Sequence, residues 1–238
     1  MTKSRQDAGA TERLLVRSRG RLPHWERAKG TYFVTFRLTG TLPSQVLESW
    51  ETERREIEAL AKRQGRDLNE QERRRLHDLY SERIDTYLDS GVGECWLRNP
   101  NVAPMLVRAL QFFDGQRYDL HAWCVMPNHV HVVFTVAGIV APASSRQLAP
   151  RSRQDGGATR SVRMTPLAAI LHSWKSYTAN EANKILRRNG EFWQREYYDH
   201  FIRDDRDLDR CVAYTVQNPV KSGLCKRWED WPWSGLGS

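Results

Sequence analysis

The chain has 238 residues, 28% charged and 39% apolar, which fits one packed domain or one domain with a large insertion and excludes a wholly disordered polymer. No apolar run reaches the ~18 residues that a membrane-crossing helix requires, and the N-terminus, charged from Lys3, has no apolar signal core, so the expected compartment is the cytoplasm with no membrane partner. The net charge of +8 is carried by 30 Arg against 7 Lys. A guanidinium fork matches phosphate and stacks on bases, so this bias points toward nucleic acid, against the plainer account of high-GC codon usage.

Residues 1–30 are polar and basic, interrupted by Gly20, Pro23 and Gly30, and read as a basic flexible arm; a single domain is expected over 31–236. Tyr32 to Leu38 is β-branched and aromatic and predicts a strand ending at Gly40 and Pro43. Ser44 can cap a helix to about Arg63 whose narrow stripe is Val46, Leu47, Trp50, Ile57, Leu60 and Ala61. Asn69 with Glu72 has the spacing of a capping box, and Leu76, Leu79, Tyr80, Ile84, Tyr87 and Leu88 continue at helical spacing. Residues 44–90 therefore read as an inserted helical hairpin, closed by Gly91 and Gly93.

Pro104 can open a further helix with Met105, Leu106, Ala109, Leu110 and Phe113 inside, followed by strands from Tyr118 to Trp123 and from His129 to Phe134. Residues 137–163 are rich in Ala, Ser, Arg, Gln, Pro and Gly and read as a mobile loop. Ser4–Thr11 recurs there as Ser152–Thr159 with one change in eight, and a repeated piece of DNA inserted in frame is the plain account. Thr165-Pro166 opens a helix to about Arg188, Phe192 to Arg203 is aromatic and partly extended, and Asp204 or Asp205 can cap a last helix that meets the stop Asn218-Pro219. Cys95, Cys124, Cys211 and Cys225 show no paired spacing and read as buried thiols of a reducing compartment.

Two segments could carry chemistry. In a strand His129 and His131 share a face, and two imidazoles on one face are half a metal site; the plain alternative is two ordinary strand histidines. On a helix Tyr214 and Asn218, at i and i+4, also share a face. The Asn218 amide oxygen could then be a third, harder ligand, with Tyr214 one turn away. Tyrosine, with an ordinary pKa of about 10, is a poor nucleophile unless its target phosphate is polarised and held in line. Standing alone, Tyr214 reads better as a core tyrosine at a helix end. His200 and Cys211 suggest a zinc site only weakly, since no CxxC or HxxxH spacing supports it.

Taken together, Trp123 to Phe134, Phe192 to Arg203, Tyr214 to Leu224 and the terminal Trp-Pro-Trp-Ser resemble the REP-associated tyrosine transposases, a branch of the single-tyrosine transposases with a His-hydrophobic-His motif. The resemblance covers about residues 25–43 and 91–235. It implies an α+β fold, a ferredoxin-like antiparallel sheet flanked by helices, in which 31–236 is the catalytic domain. It also implies cutting of single-stranded DNA through a 5′-phosphotyrosine link that leaves a 3′-OH. The nucleophile maps onto Tyr214, and the metal ligands onto His129, His131 and Asn218, where other branches carry Gln. The implied ion is Mg²⁺ or Mn²⁺, although two imidazoles and an amide suit Mn²⁺ better.

The implied partners are hairpins of repetitive extragenic palindromes, met by a monomer or homodimer associated with the nucleoid. Arg195, Arg203, Lys221 and Lys175 are candidate backbone contacts, and Trp193 and Tyr197 candidate stacking platforms, each with a surface or packing role as the bland alternative. Tyr197 and Tyr198 compete with Tyr214 for the nucleophile. A hairpin-binding protein of the same fold that does not cut is the alternative function. A replication initiator or relaxase shares the histidine pair but not the Asn-Pro-Val-Lys-Ser-Gly-Leu block.

Overall fold

The computed structural model describes residues 15–19, 22–26, 29–66, 68–69, 71–72, 75–76, 84, 86–137 and 165–237. Its centre is a five-stranded antiparallel sheet in the order β6-β3-β5-β4-β7, built from β3 (Thr31–Leu38), β4 (Tyr118–Val125), β5 (His129–Val136), β6 (Trp193–Ile202) and β7 (Ser234–Leu236). The helices are α1 (Ser44–Arg63), α2 (Thr86–Asp89), α3 (Val102–Gln111), α4 (Pro166–Ile185) and α5 (Asp205–Lys221). The succession β3-α3-β4-β5-α4-β6, with β3 and β5 central, is the β-α-β-β-α-β arrangement of ferredoxin-like folds. The expected α+β class is thus the observed one, with α1 and α2 inserted between β3 and α3 and β7 added at one edge.

Side chains on successive strand positions leave by opposite faces, which divides the molecule into two cores. Under α3 and α4 lie Tyr32, Val34, Phe36, Val130, Val132 and Phe134 with Leu106, Leu110, Ile170 and Trp174. On the other face, Phe33, Ala122, Val133 and Tyr198 pack with Val216 of α5 and with Trp50, Ile84 and Leu88 of the insertion. The inserted segment is therefore folded onto the sheet face that α5 also occupies.

Local signals set several boundaries. Asn69 and Glu72 form the expected capping box, each backbone N–H donating to the other's side chain at 2.9 Å. Thr165 and Asp204 accept from the N–H groups of Ala168 and Asp207. Other boundaries differ from expectation. Ser44 is the first residue of α1, with Pro43 at the cap position. Phe192–Arg203 contains a full ten-residue strand, β6. Within the expected flexible arm, β1 (Leu15–Arg19) and β2 (Leu22–Glu26) pair antiparallel. The last helix does not stop at Asn218-Pro219. Pro219 sits inside α5, and the helix closes only when the Ser222 N–H and hydroxyl both donate to Asn218 O at 2.9 Å. Proline in a last turn removes a single N–H, a loss the end of a helix absorbs. Most of the second expected hairpin helix and of the 137–163 loop lie outside the described residues.

Candidate active site

His129 and His131 stand on the central strand β5, on the α5 face, and both are fully buried. Their Nε2 atoms face each other at 2.9 Å. The hydrogen bonds around them assign the His129 proton and leave two arrangements open to His131. The Asn128 amide nitrogen donates to Leu88 O at 3.1 Å and Val92 O at 3.3 Å, so its oxygen is turned to His129 Nδ1 at 2.7 Å. An amide oxygen only accepts, so His129 holds its proton on Nδ1 and presents a lone pair on Nε2. His131 then donates from Nε2 to that lone pair and accepts from the Thr35 hydroxyl at Nδ1, 2.8 Å away. The Thr35 hydroxyl can rotate to accept instead, which moves the His131 proton to Nδ1 and opens its Nε2.

Burial keeps both rings neutral. Desolvation pushes His129 well below the ordinary histidine range, helped by His131 and by Arg37, which lies opposite it on β3. It pushes His131 down to about 3, helped by Lys221. Neutral imidazoles are the form that binds a metal.

α5 brings three more groups to the pair. The Tyr214 ring meets His131 edge-on at 5.5 Å and Phe33 at 5.7 Å between centroids. Asn218, one turn on, is buried, and neither atom of its amide makes a hydrogen bond of good geometry. Lys221 Nζ lies 5.4 Å from the Tyr214 ring centre and 3.8 Å from Asp89 Oδ2. Asp89, at the end of α2, puts its other oxygen 3.8 Å from His129 Nε2, and neither oxygen makes a hydrogen bond of good geometry, although the Ser222 and Asn218 side chains lie close enough to favour its charged form. Burial raises the Asp89 carboxyl above the usual carboxylate range, against the pull of Lys221 and of the nearby Ser222 and Asn218 side chains. Two imidazole nitrogens with an amide oxygen are donor types that fit a divalent ion, Mn²⁺ better than Mg²⁺, whereas Asp89 does not share ligand reach with both histidines.

His129, His131, Tyr214 and Lys221 are thus one cluster, with Asn218 one turn from Tyr214 and against Asp89, while other sequence candidates lie elsewhere. Tyr197 and Trp193 belong to the opposite core, under α4. Trp193 is buried, meets Phe36 edge-on at 4.8 Å and donates its indole N–H to the Thr178 hydroxyl at 2.9 Å, so its rings serve packing. Lys175 is tied to β6 by donation to the carbonyls of Gln194 and Arg195 at 2.6 and 2.8 Å, with its ammonium 6.0 Å from the Tyr197 ring centre. Arg195 on β6 and Arg203 just beyond it are exposed. Of the competing tyrosines, Tyr198 shares the α5 face but is separated from His131 by strand β3, since both pair with Thr35. Alternation along β6 sends Tyr197 to the far face.

His200, Asp207 and Cys211 form a second group, with one ligand atom from each within 4.8 Å of the others. Their donors are already engaged: Asp207 holds His200 Nε2 at 2.9 Å, the Arg210 guanidinium at 3.0 Å and the Arg203 N–H. Burial pushes the Cys211 thiol up to about 12, away from the thiolate a metal requires.

Sequence reasoning missed Asp89, Asn128, Thr35 and Arg37. Asn128 could have been suspected from its place before the histidines. Asp89 carried no signal, because it sits 40 positions upstream of His129 in the inserted segment.

No protein-family model matches the chain. A Haemophilus influenzae protein named as a REP-associated tyrosine transposase is 29% identical over 119 residues, 50% of this chain and 59% of the relative. The REP-associated tyrosine transposase of Escherichia coli is 26% identical over 117 residues, 49% of this chain and 53% of the relative. An uncharacterised H. influenzae protein is 27% identical over 138 residues, 56% and 65% of the two chains. The matches therefore span less than two thirds of these relatives. A solved REP-associated transposase bound to a REP hairpin aligns with 92% of this chain and 82% of its own at a TM-score of 0.40 and 16% identity. The resemblance first carried by the histidine and tyrosine motifs thus has named counterparts among curated proteins, and the chain is similar to the REP-associated tyrosine transposases.

Proposed function

We propose that the protein is a DNA transposase that cuts and transfers a single strand at palindromic hairpins, with Tyr214 as nucleophile and His129, His131 and Asn218 holding Mg²⁺ or Mn²⁺. The observation that carries this reading is the Tyr214 ring packed on His131, beside two imidazole nitrogens 2.9 Å apart, with the buried Asn218 amide one turn along the same helix. The bound ion would supply a Lewis acid that polarises a phosphate oxygen. The chain's own groups do the rest. Asn128 holds the His129 tautomer, the Thr35 hydroxyl follows either tautomer of His131, and Phe33, His131 and the Lys221 ammonium surround the tyrosine ring. A bond forms between Tyr214 Oη and phosphorus as the P–O3′ bond breaks. The phenol proton passes to solvent, and the 3′ oxygen leaves as a hydroxyl, giving a 5′-phosphotyrosine.

Lys221, Arg195 and Arg203 are offered as backbone contacts, and the basic N-terminal segment as a further one. Within this reading 31–236 acts as the catalytic domain, as a monomer or homodimer at the nucleoid. An unpaired strand can bend a phosphate into line with Tyr214 at small cost, so a hairpin with a single-stranded flank should be preferred to closed duplex.

The test is incubation with short hairpin oligonucleotides, with and without Mn²⁺. The wild-type chain should form a covalent adduct only with the ion, and Tyr214→Phe should bind the hairpin nearly as well without forming one. Adduct formation by Tyr214→Phe at the wild-type rate would overturn the assignment. Hairpin binding by the wild-type chain with no adduct would favour the non-cutting alternative.

A further inference from the structure

We infer that Arg37 is a phosphate-binding group of the site, a guanidinium that holds a backbone phosphate of the DNA strand beside the imidazole pair. The inference rests on reading the α5 face of the sheet as the one that receives DNA, and it adds a residue outside the histidine and tyrosine motifs.

Three observations carry it. First, Arg37 is buried, at 6% exposure, yet among the described residues no hydrogen bond or ion pair engages its guanidinium. A buried charge in that condition is costly unless an anion completes it. Second, its place is fixed. Arg37 pairs with His129 across β3 and β5, and directly opposed residues of an antiparallel pair leave by the same face, about 5 Å apart at Cβ. Its charge is felt at His129, as that of Lys221 is at His131. Third, the acceptors of the neighbouring strand are used elsewhere. Phe36 pairs with Tyr197 and Leu38 with Trp193, so Gln194, Arg195 and Glu196 bow out opposite Arg37 alone. The carbonyls of Gln194 and Arg195 accept from Lys175 at 2.6 and 2.8 Å, and no ion pair among the described residues joins Glu196 to Arg37. Bulges of this kind occur beside active sites, where they end pairing or re-aim a side chain.

The chemistry selects phosphate. A cation beside the proposed ligands of a divalent ion repels that ion unless an anion lies between them. The guanidinium fork matches two phosphate oxygens, and every nucleotide of a DNA strand brings such an anion. The competing account is a structural brace at the end of β3. A brace needs protein acceptors, and the described residues offer Arg37 none.

Fluorescence anisotropy of the full chain with a hairpin carrying a single-stranded flank, in EDTA, reads binding apart from metal and cutting. Neutral methylphosphonates are scanned along the strand. At one position the replacement should weaken wild-type binding about tenfold or more. Arg37→Met should weaken binding of the unmodified hairpin to a similar degree and lose its sensitivity at that position alone. Without DNA its urea midpoint should be unchanged or raised, because an unpaired buried charge is gone. If the wild-type chain binds the hairpin and Arg37→Met keeps the wild-type methylphosphonate pattern, the inference is overturned while the DNA reading stands; a lowered midpoint would then make Arg37 a brace. If the wild-type chain binds no hairpin, both fall. Inorganic phosphate raising the wild-type midpoint, with no position-specific effect in DNA, would mark a site for the free ion and also overturn the inference. Should Arg37→Met fail to fold, Arg37→Lys decides: it keeps a charge but not the fork, and wild-type affinity for the hairpin would overturn the inference.

Discussion

The two faces of the sheet handle buried polar groups in opposite ways. Under α3 and α4 the groups inside the aromatic core close on each other: Tyr118 donates to Leu110 O at 2.6 Å and receives the Trp174 indole N–H at 3.0 Å, and Trp193 donates to Thr178, which donates to Trp174 O. Under α5 the histidines meet nitrogen to nitrogen, and Asn218 and Asp89 lie against each other without a hydrogen bond of good geometry. One sequence built both faces, so the difference is not a failure of packing. A protein tolerates poorly paired polar groups where a ligand completes them, and the contrast supports the proposed placement of the site on the α5 face.

The contrast can be broken most forcefully on the closed face. Trp174 is buried between Tyr118 and Phe134, at 4.9 and 5.0 Å between ring centroids. Trp174→Ala should cost about 3–5 kcal/mol, since the cavity cannot collapse between two strands and a helix. Urea unfolding measures it, and a loss below about 1 kcal/mol would mean that this core is loosely packed. Tyr118→Phe should cost about 1–3 kcal/mol, because it strands the Leu110 carbonyl and the Trp174 indole at once.

On the open face the same kind of change should act differently. Asn218→Leu keeps the branching and heavy-atom count of the side chain, with somewhat larger methyl ends, and removes two polar atoms that make no hydrogen bond of good geometry. Without metal the variant should be as stable as wild type or more stable by up to about 1 kcal/mol, and it should lose adduct formation. If it is instead destabilised as much as Tyr118→Phe, the Asn218 amide is structurally satisfied and the contrast between the faces fails.

Much of this arrangement was legible in the sequence, for local reasons. The i, i+2 spacing of His129 and His131 and the i, i+4 spacing of Tyr214 and Asn218 are fixed by strand and helix geometry, and both hold. Faces were harder. Phe192 to Arg203 was read as a single aromatic block, but β6 alternates, so Trp193 and Tyr197 went to the closed face and Tyr198 to the open one. The place of Asp89 beside His129 was illegible because it depends on Asn128 reaching across to the carbonyls of Leu88 and Val92, a tertiary contact with no periodicity. The helix stop expected at Pro219 failed because a last turn needs few internal donors.

The smallest expected effect separates the two lysines that were grouped as DNA contacts. Lys221 stands at the open site, more than half exposed, whereas Lys175 lies against β6 on the closed side with its ammonium on two carbonyls. Burial lowers Lys175 to about 8, with Arg37 repelling it and Glu196 opposing the shift. The sign follows from proton counting. Below about pH 8 the amine is charged in both folded and unfolded chains, and this group adds no pH dependence. Between there and the ordinary lysine value of about 10.4 the unfolded chain holds more protons, so the Lys175 contribution to stability rises with pH. Lys175→Met lacks that rise. Urea unfolding of both proteins at pH 7.5 and 9.5 should therefore show the wild-type chain gaining on the variant at the higher pH. A difference that stays flat or shrinks would mean that Lys175 keeps an ordinary affinity for its proton and stands in water, as an exposed DNA contact would, returning it to the company of Lys221.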